Sequence, residues 1–233
     1  MRYLIAFVIM FAYSANTYSQ TFEAGPFVGG ANFIGDVGRT TYVLPNSLVF
    51  GGLVKWNRSP RHSFRLSLLF AELTADDTQS SETRRVQRGY SFSNNVAEAS
   101  LGIEFNFWDF DLHQGHPQSS PYLYTGLTYF KADHLYLKNG RAGNLVNEGT
   151  NWSFAVPMVI GYKESITTHI VAAFEIGARY TFTDNLDGSW PEELLDRRDP
   201  PIEFGNRNTN DWYVFTGVNF TFSWGRRPCY RNF

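Results

Sequence analysis

Residues 211–224 read DWYVFTGVNFTFSW. Trp212, Val214, Thr216, Val218, Phe220, Phe222 and Trp224 fall on one face of an extended chain, and Gly217, Asn219, Thr221 and Ser223 on the other. Side chains alternate across a strand, so a period of two held over the whole stretch predicts a strand and not a helix. The pattern recurs upstream. Ala97, Ala99, Leu101, Ile103, Phe105 and Phe107 oppose Glu98, Ser100, Gly102, Glu104 and Asn106. Phe154, Val156, Met158, Ile160 and Tyr162 oppose Ser153, Ala155, Gly161 and Lys163. Ile170, Ala172, Phe174, Ile176, Ala178, Tyr180 and Phe182 oppose Glu175, Gly177, Arg179 and Thr181.

Eight such segments can be marked, at about 21–31, 47–58, 62–74, 93–109, 120–133, 151–164, 169–184 and 211–224. The fifth, PYLYTGLTYFKAD, is aromatic on both faces, and its pattern assigns no inside. Strands of soluble sandwiches typically run about five to six residues, whereas crossing a bilayer at a tilt takes about nine to eleven. The segments match the longer figure. Their polar faces carry charge at mid-strand: Arg65, Glu104, Lys163, Glu175 and Arg179. These features predict an all-β chain, an eight-stranded antiparallel up-and-down transmembrane β-barrel with lipid outside and a polar lumen. Closure leaves no unpaired strand edge in hydrocarbon. The five charged residues are assigned to a lumen network in which Glu104 and Glu175 pair with some of Arg65, Arg179 and Lys163. The alternative is a soluble eight-stranded barrel of lipocalin type, with the faces reversed.

Aromatic placement favours the membrane. Trp56, Trp108 and Trp224 end downward segments, and Trp152 and Trp212 begin them, as two interfacial belts require. Connections agree: short turns at about 59–61, 110–119 and 165–168 would face the periplasm, and loops at about 32–46, 75–92, 134–150 and 185–210 would face outward. The 110–119 turn is long for its side. Little reads as helix; the best candidate is PEELLD, Pro191 to Asp196.

The N-terminus reads as an export signal. Arg2 precedes the apolar run Leu4 to Tyr13, too short to span a bilayer, and Thr17 and Ser19 suit positions −3 and −1 of a cleavage before Gln20. The expected organisation is a signal peptide at 1–19, a barrel at 20–224 and a basic tail at 225–233, with both termini in the periplasm of a Gram-negative cell. Of the 20 Lys and Arg in the chain only Arg2 lies in the signal, so its loss leaves 19 bases against 22 acids, net −3. That balance gives no support to nucleic-acid binding. Aromatic content of 17% excludes disorder, and one cysteine excludes a disulfide framework or a Cys-based zinc site.

A barrel enzyme would need a nucleophile, a base and an orienting acid within reach of each other. Of the histidines, only His134 beside Asp133 falls near the outer interface, and no serine partner is evident. His113 and His116 share a polar turn. No catalytic, cofactor or metal residue is assigned, and no small-molecule substrate is expected.

The stretches FEAGPFVGGANFIGDVG (22–38), SFAVPMVIGYKESITTHIVAAFEIGARYTFTDNLDG (153–188) and DWYVFTGVNFTFSW (211–224), followed by a basic tail with Cys229, resemble the PorG-like outer-membrane proteins of Bacteroidetes. The resemblance spans essentially the whole mature chain. It implies an eight-stranded barrel and, for the member that names the family, a place in the type IX secretion machinery beside its periplasmic ring; paralogues have no assigned role. The expected function is thus a non-enzymatic anchor or docking component in outer-membrane lipid, with periplasmic ring proteins as partners. Candidate docking residues are Arg58, Arg61, His62, His113, His116, Arg226, Arg227, Cys229 and Arg231. The alternatives are a lipid-modifying barrel enzyme or a small-ligand-binding barrel.

Overall fold

The computed structural model describes residues 21–112, 116–137, 145–189, 204–206 and 209–225. Eight strands follow one another: β1 (Thr21–Ile34), β2 (Ser47–Asn57), β3 (His62–Asp76), β4 (Ser91–Asn106), β5 (Ser119–Leu137), β6 (Leu145–Ser165), β7 (Ile170–Thr181) and β8 (Trp212–Gly225). Each pairs antiparallel with the next, and β1 closes on β8 from Thr21 opposite Gly225 to Ile34 opposite Trp212. The fold is a closed up-and-down barrel.

Two boundaries depart from the sequence expectation. Residues 134–137 and 145–150, expected in a loop, are strand, because β5 runs to Leu137 and β6 begins at Leu145. Their pairing continues past a register shift between Asp133 and Leu135. The polar residues there signalled a loop, but a two-stranded extension above the membrane can be polar on both faces. Helix also occurs where none was expected. Asp77–Gln79 forms a 3-10 turn, begun by Asp76, whose carboxylate accepts the Thr78 N–H at 2.8 Å. The helix α1 (Thr83–Arg88) ends at Gly89, whose φ of 60° supplies the left-handed turn. Pro191 to Asp196 lies outside the described residues, as does the proposed signal peptide.

The alternation sorts the two faces. Leu68, Phe70, Leu101, Leu127, Ile160, Phe174 and Phe220 stand at least half exposed on the outer wall. Glu23, Lys55, Arg65, Glu98, Glu104, Lys163, Glu175 and Arg179 are buried within. An exposed apolar band around a charged interior is the arrangement of a membrane-spanning barrel and the reverse of a soluble one. Among the described residues no helix is long and apolar enough to cross a membrane; the crossing is made by strands.

The fifth strand, ambiguous in sequence, turns Tyr122, Tyr124, Thr128 and Phe130 inward. Facing glycines allow the wall to curve. A Cβ on Gly102 would lie 2.1 Å from the Thr125 carbonyl, and one on Gly126 2.2 Å from that of Leu101. Only a residue without a side chain lets β4 and β5 bend inward this closely.

The lumen is polar only in part. Toward the long loops it is filled by Phe27, Val49, Leu69, Leu73, Phe130 and Phe215. Loop residues Val37, Tyr90 and Leu186 are buried against this cluster.

Candidate functional site

Three regions carry polar chemistry: the lumen, the end with the short turns and termini, and the end with the long loops. In the lumen Glu104 is the centre of one cluster. Lys163 Nζ lies 2.7 Å from its Oε1 and Lys55 Nζ 2.9 Å from its Oε2, with Arg65 farther at 3.9 Å. Glu175 is held by Arg65 through two bonds of 2.7 and 2.8 Å, and Tyr122 donates to it at 2.6 Å. Arg179 does not join these acids; it donates to Glu98 at 3.1 Å, and Tyr213 donates to the same carboxylate at 2.8 Å. Glu23 accepts from Asn57 at 2.6 Å and from Thr221 at 2.8 Å.

Lys55, Glu98, Tyr122 and Tyr213 were missing from the sequence-derived network. Glu98 had been placed on the lumen face, but facing does not say which base it meets. Lys55 sits in a segment, SLVFGGLVKWN, where Val49, Gly51 and Leu53 precede it on its face and give no sign of a polar interior. Among the described residues the strands bury four acids and four bases, so the lumen is neutral. Burying ions costs several kcal/mol each unless partners compensate, and these partners do so. The guanidinium of Arg65 also lies 4.8 Å from the Tyr124 ring centroid, and that of Arg179 4.2 Å from Phe215.

At the short-turn end, Phe22, Trp56, Phe64 and Trp224 line up across β1, β2, β3 and β8 by register. Trp108 is half exposed just past β4. Trp152 and Trp212 lie at the opposite end, Trp152 stacked on Tyr129 at 4.9 Å and Trp212 edge-on to Tyr180 at 4.9 Å. Aromatic rings thus ring both ends, as interfacial side chains do.

The candidate docking residues gather at the short-turn end only in part. Arg58 lies over the Trp56 ring at 6.0 Å, and Arg61 bonds Asp109 at 2.5 Å across two turns. Exposed His62 packs on Phe105 at 5.3 Å. His116 is exposed in the 107–118 turn. That turn is long but tied: Gln118 accepts the Asp111 N–H at 2.6 Å and donates to its carbonyl at 2.8 Å. Its Phe110 is buried, 4.6 Å from Lys163 Nζ, and covers the lumen from below. His113, Arg226, Arg227, Cys229 and Arg231 lie outside the described residues. His134, expected in a solvated turn, is buried within β5.

At the long-loop end Asp77 is buried and fully used. It accepts from Gly38 N at 2.9 Å, Tyr90 N at 3.1 Å and Arg88 Nε at 2.6 Å. Arg88 also donates to the Asp36 carbonyl at 2.7 Å, and Arg85 to the carbonyls of Gly35 and Gly38 at 3.0 and 3.1 Å. Asp184, Asp187 and Asp211 are less well served. Burial, then the charges of Asp187 and Asp36, push the Asp184 carboxyl up to about 7. Burial raises Asp187 to about 6, and it raises Asp211 well above the usual range, with Asp187 adding to it. Burial likewise pushes the Tyr90 phenol up.

Among curated proteins no sequence matches. Solved structures with a similar architecture include Ail of Yersinia pestis, at TM-score 0.48 and 8% identity, covering 89% of this chain and 100% of that one. The N-terminal barrel of Pseudomonas aeruginosa OprF gives 0.44 and 11%, covering 88% and 98%. OprG of the same organism gives 0.44 and 8%, covering 89% and 97%. A family model described as a domain of unknown function, DUF6089, matches residues 2–232, and the chain belongs to that family.

Proposed function

We propose that this barrel is a non-enzymatic anchor in the outer membrane, with its short turns and termini in the periplasm, where it docks the ring of a type IX secretion apparatus. The observation that carries the reading is the closed lumen. Paired Lys55, Lys163, Arg65, Glu104 and Glu175 occupy one half, and Phe27, Leu69, Phe130 and Phe215 the other. An eight-stranded interior filled by side chains passes neither a folded protein nor a solute stream, so a role must lie on the outer surfaces. The resemblance to PorG-like proteins supplies the partner, and short turns on the periplasmic side are the habit of bacterial barrels.

The docking surface proposed is the short-turn end: Arg58 and His62 in one turn, His116 in the next, and the basic tail with Arg226, Arg227 and Arg231. Exposed basic groups steer onto acidic surfaces and pair with their carboxylates. Deleting residues 225–233 and recovering the barrel from outer membranes tests this. Loss of the ring proteins from the copurifying material, with the barrel still inserted, is the expected result. Unchanged copurification and unchanged secretion in both the deletion and an Arg58→Ala/His62→Ala variant would overturn it.

A further inference from the structure

The loop between β1 and β2 divides in two. Val37 is buried against the apolar cluster of the lumen, but residues 41–45 fold down the outer wall. Asn32 stands on the outward face of β1: its neighbours Ala31 and Phe33 belong to the lumen cluster, and exposed Phe22 and Val28 share its face. It is nevertheless only 3% exposed, because the loop covers it. Its Nδ2 donates to the carbonyls of Thr41 at 3.4 Å and Tyr42 at 3.2 Å, and its Oδ1 accepts the Leu44 N–H at 3.3 Å. Pro45 lies on Gly30, on the same face: a Cβ on Gly30 would come within 2.4 Å of the Pro45 Cβ. The Asn46 N–H then bonds the Ala31 carbonyl at 2.9 Å, and β2 begins.

We propose that Tyr42, Val43 and Leu44 form a wedge in the interfacial lipid of the leaflet at the long-loop end, held down by the Asn32 clasp. Register sets the depth. Ile34 faces Trp212 of the aromatic belt, whereas Asn32 faces Val214 and Gly30 faces Thr216. At about 3.4 Å per residue, Asn32 lies about 7 Å and Gly30 about 14 Å along β1 from that belt, toward the bilayer. Leu48, opposite Gly30 on β2, is exposed on the outer wall, so the wedge continues the lipid-facing band. Tyr42, Val43 and Leu44 are themselves exposed, Tyr42 at 75%. No charged residue occurs between Arg39 and Lys55, whereas α1 in the next loop carries Arg84, Arg85 and Arg88. Irregular backbone near hydrocarbon needs partners. Asn32 and the Ala31 carbonyl engage Thr41, Tyr42, Leu44 and Asn46, and Pro45 has no N–H to satisfy. A tyrosine, with an apolar ring and a polar tip, suits the headgroup boundary. The proposal rests on the barrel's lying in a membrane, and not on which side its termini face or on any docking partner.

The test uses the full chain with its one cysteine removed, Cys229→Ser, and a nitroxide attached at Val43→Cys. Leu48→Cys on the outer wall and Gln87→Cys on α1 are the lipid and water references. Each is folded into dioleoylphosphatidylcholine vesicles, insertion is checked by gel mobility, and collision of the nitroxide with oxygen and with a water-soluble nickel chelate is measured. Oxygen concentrates in lipid and the chelate in water, so their ratio reports depth. The expected ratio at Val43 is several-fold above that at Gln87 and corresponds to about 5–10 Å into the headgroup boundary. Asn32→Ala should lower the Val43 ratio several-fold, toward the Gln87 value, and leave Leu48 unchanged. A Val43 label as open to the chelate as Gln87 overturns the wedge. Shielding from both reagents overturns it too, because that is the mark of a contact with a second copy. An unchanged Val43 ratio in Asn32→Ala overturns the clasp. If Val43→Cys fails to insert, Tyr42→Cys is read in the same way. If Asn32→Ala fails to insert, the readings at the loop and the two references decide alone.

Discussion

Arg65 on β3 and Glu175 on β7, 110 positions apart in the chain, form a two-bond fork across the lumen at 2.7 and 2.8 Å. Both are nearly wholly buried, and Tyr122 and Asn219 also donate to Glu175. The fork ties opposite walls of the barrel, so it fixes the cross-section as well as balancing charge. Its loss is expected to be non-additive. Arg65→Met alone strands a buried carboxylate and should cost about 3–5 kcal/mol in urea unfolding. Adding Glu175→Gln removes the stranded charge while keeping an acceptor for Tyr122, and should recover a large share of that loss.

Glu104 should be harder to remove than either lysine that meets it. Lys55→Met leaves Glu104 with Lys163 at 2.7 Å. Glu104→Leu takes the carboxylate from both Lys55 and Lys163, whose side chains are fully buried. The expected order in unfolding free energy is Glu104→Leu well below Lys55→Met, with the former failing to complete the gel-mobility shift of a closed barrel.

Tyr213→Phe tests the upper charge pair with the smallest change. It deletes the 2.8 Å bond to Glu98 and leaves the Arg179 contact at 3.1 Å. Hydrogen bonds to charged groups are worth about 1.5–3 kcal/mol, and a loss in that range is expected in urea titration.

Curvature of the wall between β4 and β5 rests on Gly102 and Gly126. Gly102→Val places carbon inside van der Waals contact of the Thr125 carbonyl, so barrel closure should slow or fail when refolding into vesicles is followed by mobility shift. Gly52→Val is the control. The nearest atom to its added Cβ is 3.4 Å away, and folding should proceed.

The filled lumen predicts no steady conductance. Purified barrel in a planar bilayer should leave the current at baseline, and stable open steps of uniform size would contradict the closed interior on which the anchor proposal rests.

Much of this was legible in the chain itself because side-chain direction in a strand is a local property. Period-two alternation in 62–74, 97–107, 153–163, 170–182 and 212–224 sets which residues face lipid and which face inward, whatever the strand's neighbours. Thus Arg65, Glu104, Lys163, Glu175 and Arg179 could be placed inside from sequence. Which acid each base meets could not, since that depends on stagger and on distances across the lumen. Arg179 therefore went to Glu98 and not to Glu104 or Glu175, and Lys55 was missed. The same limit applies where alternation fails. β5 is apolar on both faces, and only its pairing with β4 and β6 turned Tyr122 and Tyr124 inward and carried His134 out of a presumed loop into a strand. Loops have no period at all. That Asp184, Asp187 and Asp211 share one neighbourhood is decided by how residues 184–189 pack against Asp211, whose carboxylate accepts the Leu186 N–H at 2.9 Å, a tertiary fact that no spacing in the sequence encodes.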